Sequence, residues 1–230
     1  MTANEPAHTP KEQEEAALVP LLIVMTIVTG TVDAVSILRL GHVFVANMTG
    51  NVVFLGFALA GAAGFSFSAA IVALAAFLGG AAVAARAIGS STPRRQALAR
   101  ATAAEATLAA TATLVALAAS GTAARYTMTV LLAVAMGGQN AIVRRLAVPD
   151  LTTTVLTMTL TGLAADKSQL SKSPSPARRR VAAVTAMLTG AVGGALLVLH
   201  ASTAAALAAA TALLVVVGTA PLWPGHSMRR

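Results

Sequence analysis

Apolar residues fill most of the chain in eight runs separated by short polar links. The runs cover residues 18–38, 43–62, 65–89, 99–120, 126–147, 151–165, 181–200 and 202–220. A helix that crosses a bilayer needs about 20 predominantly apolar residues. Run 151–165 is short for a crossing and rich in threonine. Run 43–62 is long enough, but its first half carries Asn47, Thr49, Gly50 and Asn51. The pattern therefore predicts an all-α polytopic membrane protein in which these two runs differ from the other six.

The positions of the basic residues separate two topologies. Arginines surround the link before run 99–120 and end run 126–147, and lysines and arginines fill the link before run 181–200. Cytoplasmic loops carry an excess of Lys and Arg. If run 151–165 crossed the membrane, the groups on either side of it would lie on opposite faces. The rule thus favours six spanning helices, two shorter broken or re-entrant segments and cytoplasmic termini over eight full spans.

Composition agrees with a membrane protein and limits the other classes. Hydrophobic residues make up 57% of the chain and charged residues only 10%, whereas soluble domains carry about 25% charged residues. The net charge of +8 lies mostly between the apolar runs and aromatics are only 3%, so nucleic-acid binding is not expected. The absence of cysteine excludes disulfides and thiolate metal sites. Residues 1–16 are expected to form a disordered cytoplasmic tail and residues 223–230 a basic tail.

The two halves of the chain share a weak repeat. The matched pairs are Gly30 with Gly137, Asp33 with Asn140, Thr49 with Thr157, and Leu55 with Leu163. Residues 17–122 and 123–222 would then form two membrane repeats, each with three spans and one dipping segment. An odd number of spans inverts the second repeat relative to the first. Inverted 3+3 repeats are typical of secondary transporters, whose sites lie where broken helices meet.

Several short motifs resemble those of a known family. They are Val32-Asp33-Ala34, the run from His42 that ends in Asn47-Met48-Thr49-Gly50-Asn51, Gln139-Asn140-Ala141, and Thr152-Thr153-Thr154. Together they resemble the YoaK-type family of bacterial inner-membrane proteins, which is grouped under a domain of unknown function. The resemblance implies a multi-pass protein of the bacterial inner membrane. It implies no substrate or reaction, and Met158 departs from the glycine that the second motif would place there.

Asp33 is the first candidate for chemistry. Together with Thr26, Thr29 and Ser36 it forms one polar helix face, because the spacings are 3, 4 and 3 residues. Burial favours the neutral form of a carboxyl group, so a buried Asp33 suits a site linked to protons or cations. The alternative is a structural carboxylate that caps neighbouring backbone or pairs with Arg39.

The asparagine motif supplies the second candidate group. Asn47 and Asn51 are four residues apart beside Gly50, and their amides both donate and accept hydrogen bonds. They suit either a small polar solute or the exposed backbone of a broken helix. A helix that begins near Asn47 would favour an anionic solute at its N-terminus. The full set of predicted solute-binding residues is Asp33, Asn47, Thr49, Gly50, Asn51, Gln139, Asn140 and Thr157.

The remaining polar residues form no recognisable catalytic or metal-binding pattern. His42 and His200 lack ligand-spaced partners, Glu105 is expected to pair with Arg100, and no phosphate-binding loop occurs. No metal, cofactor or enzymatic activity is therefore predicted. The sequence favours a small secondary transporter or channel-like protein for a small polar or anionic solute. It leaves open whether transport is coupled to protons. Its expected partners are the lipid bilayer and that solute, and homo-oligomerisation stays open. The alternative is a membrane scaffold or partner-binding protein without transport.

Overall fold

Helices form all the regular secondary structure of the described part of the chain. The computed structural model describes residues 10–89, 92–147, 157, 159–161 and 174–220, and these residues contain no β-strand. The helices of these residues are α1 (Pro10–Arg39), α2 (Met48–Leu59), α3 (Phe67–Ala87), α4 (Arg94–Ala118), α5 (Thr122–Leu146), α6 (Pro174–His200) and α7 (Thr203–Thr219). Thr157 and residues 159–161 also have helical backbone.

Helix length follows the apolar pattern with two differences. Within the described residues, α1, α3, α4, α5 and α6 are long and apolar enough to cross a membrane, whereas α2 and α7 are shorter apolar helices. Helix α1 begins at Pro10, inside the stretch expected to be a disordered tail. Helix α2 covers only 12 residues of run 43–62, because residues 43–47 lie in the loop that precedes it.

One end of the helix bundle, here called the basic end, is held together by arginines. Arg94 donates a hydrogen bond to the carbonyl oxygen of Leu146 and lies 3.7 Å from the carboxylate of Glu15. Arg145 donates to the carbonyl oxygen of Ile88 over 2.7 Å. Each arginine thereby satisfies carbonyl groups that a helix leaves unpaired at its C-terminus. The basic end therefore contains the beginnings of α1 and α4 and the ends of α3 and α5.

The opposite end, here called the distal end, contains the other helix ends. Nη2 of Arg39 donates to the carbonyl oxygen of Val198 over 3.0 Å, which places the ends of α1 and α6 side by side. The rings of His42 and Phe65 lie 6.4 Å apart, so α3 begins at this end too. Helices α1 and α6 run parallel, and α6 therefore starts at the basic end.

The segment between α1 and α3 enters and leaves the bundle by the distal end. Residues 43–46 run inward, and the backbone N–H of Ala46 donates to the Asp33 carboxyl group over 3.2 Å. Asp33 lies six residues before the end of α1, about 9 Å along the helix. Helix α2 then returns to the distal end, where the rings of Phe54 and Phe65 lie 5.0 Å apart. Run 43–62 thus contains a hairpin-like loop and half-helix.

Two helix crossings depend on glycine. Helix α1 packs against α6, and α3 packs against α5. A Cβ atom on Gly30, Gly80, Gly137 or Gly190 would collide with backbone atoms of the facing helix. Close backbone contact through small residues is the usual way in which membrane helices associate.

Candidate solute-binding site

A cavity of about 880 Å³ lies between α1, α6 and the beginning of α2. Its polar or backbone-exposing lining residues are Thr29, Gly30, Asp33, Asn47, Thr49, Gly50 and Thr157, and its other walls are apolar. Pockets that bind small molecules are commonly apolar with a few polar groups that orient the ligand. The cavity has the volume and the lining expected of such a pocket.

The beginning of α2 supplies backbone donors to this cavity. Asn47 is the N-cap residue of α2, and its side-chain oxygen accepts a long hydrogen bond of 3.5 Å from the N–H of Gly50. The first four N–H groups of a helix have no partner within the helix. Together with the positive end of the helix dipole they favour a bound anion. The half-helix therefore points a partial positive charge at the cavity.

Gly50 allows the loop to fold tightly onto the half-helix. A Cβ atom at position 50 would lie 2.5 Å from Cδ2 of Phe44. The ring of Phe44 stacks on Phe54 with centroids 5.5 Å apart. Both Phe44 and Gly50 line the cavity. The absence of a side chain at Gly50 therefore allows the loop wall and the helix start to meet.

Asp33 faces both the cavity and the inward loop. The residue is 6% exposed, it lines the cavity, and its Oδ1 accepts the N–H of Ala46. One carboxyl oxygen therefore holds the backbone next to Asn47. The alternative pairing of Asp33 with Arg39 is not seen among the described residues, where Arg39 donates to the carbonyl oxygen of Val198. Asp33 thus holds loop backbone through a hydrogen bond and also lines the cavity.

Asn51 holds the loop and does not line the cavity. Its Oδ1 accepts the N–H of Phe44 over 2.8 Å, and its Nδ2 donates to the carbonyl oxygen of the same residue over 2.5 Å. The side chain is only 1% exposed. The amide thus satisfies both backbone hydrogen-bonding groups of Phe44. The sequence left open whether Asn51 contacts a solute or loop backbone, and in the structure it bonds to loop backbone.

Gln139 and Asn140 lie on α5, outside the cavity lining. Nε2 of Gln139 donates to Oγ1 of Thr29 over 2.8 Å, and Thr29 itself lines the cavity. Nδ2 of Asn140 donates to the carbonyl oxygen of Met136 in its own helix. Gln139 therefore contacts the site through one intermediate residue, while Asn140 makes a local bond.

The structure brings five of the eight predicted residues to one cavity. Asp33, Asn47, Thr49, Gly50 and Thr157 all line it. Thr157 belongs to run 151–165, most of which lies outside the described residues. Thr49 and Thr157, which the predicted repeat aligns, both line this cavity.

The apolar wall from α6 is the part of the site that sequence analysis missed. Met187, Ala191 and Ala195 line the cavity. They lie on the same helix as Gly190 and Gly194. The four-residue spacing from Met187 to Ala191 and from Ala191 to Ala195 is the signal that could have indicated a common face.

The predicted ion pair between Glu105 and Arg100 is wrong. Neither carboxyl oxygen of Glu105 has a hydrogen-bond partner among the described residues, and Glu105 is 2% exposed. Residues five apart in an α-helix point about 140° away from each other, since 3.6 residues make a turn. The spacing itself therefore disfavours a direct pair.

Comparisons with known proteins identify relatives but no activity. The family described as a protein of unknown function (DUF1275) matches residues 21–220. The UPF0700 transmembrane protein YoaK of Bacillus subtilis (strain 168) is 31% identical over 150 residues, which are 64% of this chain and 66% of that protein. The match thus spans just under two thirds of that relative. No solved structure matches the chain. With the long apolar helices, these findings indicate a membrane protein with several transmembrane helices.

Proposed function

Since the chain belongs to the DUF1275 family, whose function is unknown, we propose from its own cavity that it carries a small polar or anionic solute across the membrane. The observation that carries the proposal is the meeting of Asp33, Asn47, Thr49, Gly50 and Thr157 around about 880 Å³ of space. Polar side chains and broken helices persist at membrane depth where they line a cavity or contact protein. A cavity of this kind is the expected centre of a small transporter.

Six spans and two re-entrant segments form the proposed topology. Helices α1, α3, α4, α5, α6 and α7 cross, and the segments 43–62 and 151–165 each return to the side that they entered. The distribution of charge supports it: the described basic end carries Arg86, Arg94, Arg95, Arg100, Arg144, Arg145, Arg178, Arg179 and Arg180, whereas the distal end carries Arg39 and Arg125. By the positive-inside rule the basic end faces the cytoplasm. The chain then lies in the bacterial cell membrane with both termini inside.

An inverted repeat is the proposed architecture, and the two glycine crossings support it. At one crossing Gly30 faces the backbone of Met187 and Ala191, and Gly190 faces the carbonyl of Ile27. At the other, the corresponding partners are Gly137 with Phe77 and Ala81, and Gly80 with Val134. The residues on α1 and α5 differ by 107 positions in each pair, and those on α3 and α6 by 110. The crossing of α1 with α6 is therefore matched by the crossing of α5 with α3.

An anionic solute that moves together with a proton fits the chemistry of the site. The beginning of α2 favours a negative charge, while an ionised Asp33 beside it would repel one. Protonation of Asp33 removes that repulsion, so the anion and the proton would bind together. Since the Asp33 equivalent in the second half is Asn140, the proton site belongs to the first half alone.

A thermal-stability screen of the purified full chain tests solute binding. The probes are formate, acetate, nitrate and phosphate as anions, glycine as a zwitterion, and potassium and guanidinium as cations. A ligand at about 100 times its Kd stabilises the folded state by about 2.7 kcal/mol. Asn47→Ala and Thr49→Val should lose the stabilisation by the bound anion. Thr127→Val is the matched control, because its exposed hydroxyl bonds only to Ala123 of its own helix.

The hydrogen bonds of the site residues also favour the rival function, a membrane scaffold without transport. Asp33 and Asn51 both bond to loop backbone, so polar groups in this region serve folding as well. Under the scaffold hypothesis no probe stabilises the protein, and Thr49→Val behaves like Thr127→Val. Homo-oligomerisation stays a prediction under either function.

A further inference from the structure

A second cavity, of about 510 Å³, lies between α3, α4 and α5 on the side of the bundle away from the first one. Helices α3 and α4 both pack on α5 but do not pack closely on each other. The gap between them is lined by small side chains from three helices: Gly79, Gly80, Ala84, Ala101, Ala104 and Gly138. Small side chains leave this space empty where larger ones would fill it.

Glu105 is the buried carboxyl group of this cavity. It is 2% exposed, and both carboxyl oxygens lack a hydrogen-bond partner among the described residues. Leaving a buried polar group unpaired is costly, and more so for a charged group. No helix end, turn or loop in the described structure uses this carboxyl group. A ligand that donates to it would remove the cost.

The surroundings of Glu105 restrict the chemistry of that ligand. Arg100 is the other charged residue in the described lining, and it is exposed at the edge of the cavity. The remaining lining is glycine, alanine, valine, leucine and isoleucine. A hard inorganic cation prefers six or more oxygen ligands, and the described lining of this cavity offers only the two carboxyl oxygens of Glu105 among hydrocarbon walls. They suit one ammonium group attached to a hydrocarbon body.

We propose that the cavity at Glu105 binds a compact apolar molecule that carries a single ammonium group. The ammonium group bonds to the Glu105 carboxylate, and the hydrocarbon body fills the space between α3 and α4. The body enters from the lipid side, where Gly79 and Val83 are exposed. This site is separate from the cavity at Asp33 and does not depend on the transport proposal.

The test uses three probes with the same hydrocarbon cage and different polar groups. Binding of 1-aminoadamantane, 1-adamantanol and adamantane-1-carboxylate to the full chain in lipid nanodiscs is measured by calorimetry. We expect the amine to bind most tightly. Glu105→Gln should weaken amine binding at least about tenfold, because the ammonium group loses its buried partner. Ala104→Leu should weaken it by filling the cavity, and Glu15→Gln, near the basic end, should leave it unchanged.

A second measurement needs no variant. Dicyclohexylcarbodiimide, an apolar reagent for carboxyl groups, should modify Glu105, and 1-aminoadamantane should slow that modification in the wild-type chain. Slower modification of Glu105 together with the tenfold loss in Glu105→Gln supports the proposal. The proposal is overturned if the carboxylate probe binds as tightly as the amine, because Arg100 would then be the partner. It is also overturned if the amine fails to bind, binds Glu105→Gln as it binds wild type, or does not slow the carbodiimide reaction.

Discussion

Asn51 should contribute more to stability than any other polar residue of segment 43–62. Its side chain bonds to both backbone groups of Phe44, and both bonds are partly buried. Asn51→Ala removes both partners. Each buried backbone group left unpaired costs about 1–3 kcal/mol, so the two together give about 2–6 kcal/mol. Partial burial places the expected loss in the lower half of that range, about 2–4 kcal/mol.

The measurement is equilibrium unfolding of the purified chain in mixed micelles, followed by far-ultraviolet circular dichroism. Asn47→Ala is the matched control, because Asn47 lies four residues earlier and its bond to Gly50 is exposed and 3.5 Å long. Loss of a helix cap costs about 0.5–2 kcal/mol, and this weak cap should fall at the low end. Asn51→Asp keeps the acceptor for the Phe44 N–H and loses the donor, so its stability should lie between those of wild type and Asn51→Ala.

Two results would refute this reasoning about Asn51. One is an Asn51→Ala protein whose free energy of unfolding lies within about 0.5 kcal/mol of wild type, the usual range for surface substitutions. The other is a larger loss in Asn47→Ala than in Asn51→Ala. Either result would mean that the loop backbone finds other partners, and that the amide of Asn51 is available to a solute.

Three further predictions concern packing, coupling and topology. Gly137→Ala should destabilise the chain by about 1–3 kcal/mol, because the added methyl group overpacks the crossing of α3 and α5. Gly193→Ala is the control and should not destabilise the chain, because a Cβ atom there would have no neighbour within 4 Å. Equal melting temperatures of the two variants would contradict the packing argument. Asp33→Asn should abolish the rise of anion uptake into proteoliposomes at acid pH, and an unchanged pH profile would remove the proton coupling. The chain has no cysteine, so a single introduced cysteine reports the side of the membrane on which it lies. Ser120→Cys, at the distal end, should react with an impermeant maleimide added to intact cells, whereas Gln96→Cys, at the basic end, should react only after lysis. The reverse pattern would contradict the proposed topology.

The broken helix at 43–62 could be predicted because its sequence contradicts its length. Twenty mostly apolar residues suggest a crossing, but two asparagines, a threonine and a glycine within five positions do not belong in hydrocarbon. The structure places the break at these residues, since α2 begins at Met48. What the polar residues bond to could not be predicted, because an amide suits loop backbone and solute equally well.

Asn47 and Asn51 have different surroundings for a conformational reason. Residues four apart share a face only where both are helical. Asn47 is the N-cap residue, with φ −109° and ψ 87°, and so lies outside the helix. Its side chain therefore points elsewhere than that of Asn51, and only Asn47 lines the cavity. A capping position could be suspected from the sequence, but the direction of the loop before it depends on the carboxyl group of Asp33.

The proposed repeat explains why the two cavities should serve different chemistry. Under that symmetry α1 pairs with α6 and α5 pairs with α3, so each tightly packed pair takes one helix from each half of the chain. The cavity at Asp33 borders the first pair and the cavity at Glu105 borders the second. In the second pair, the position that corresponds to Asp33 is occupied by Asn140. Its side chain donates to the carbonyl oxygen of Met136 in its own helix. Under the proposed repeat the two halves would share a scaffold, while the buried carboxyl groups occur at positions that the symmetry does not relate.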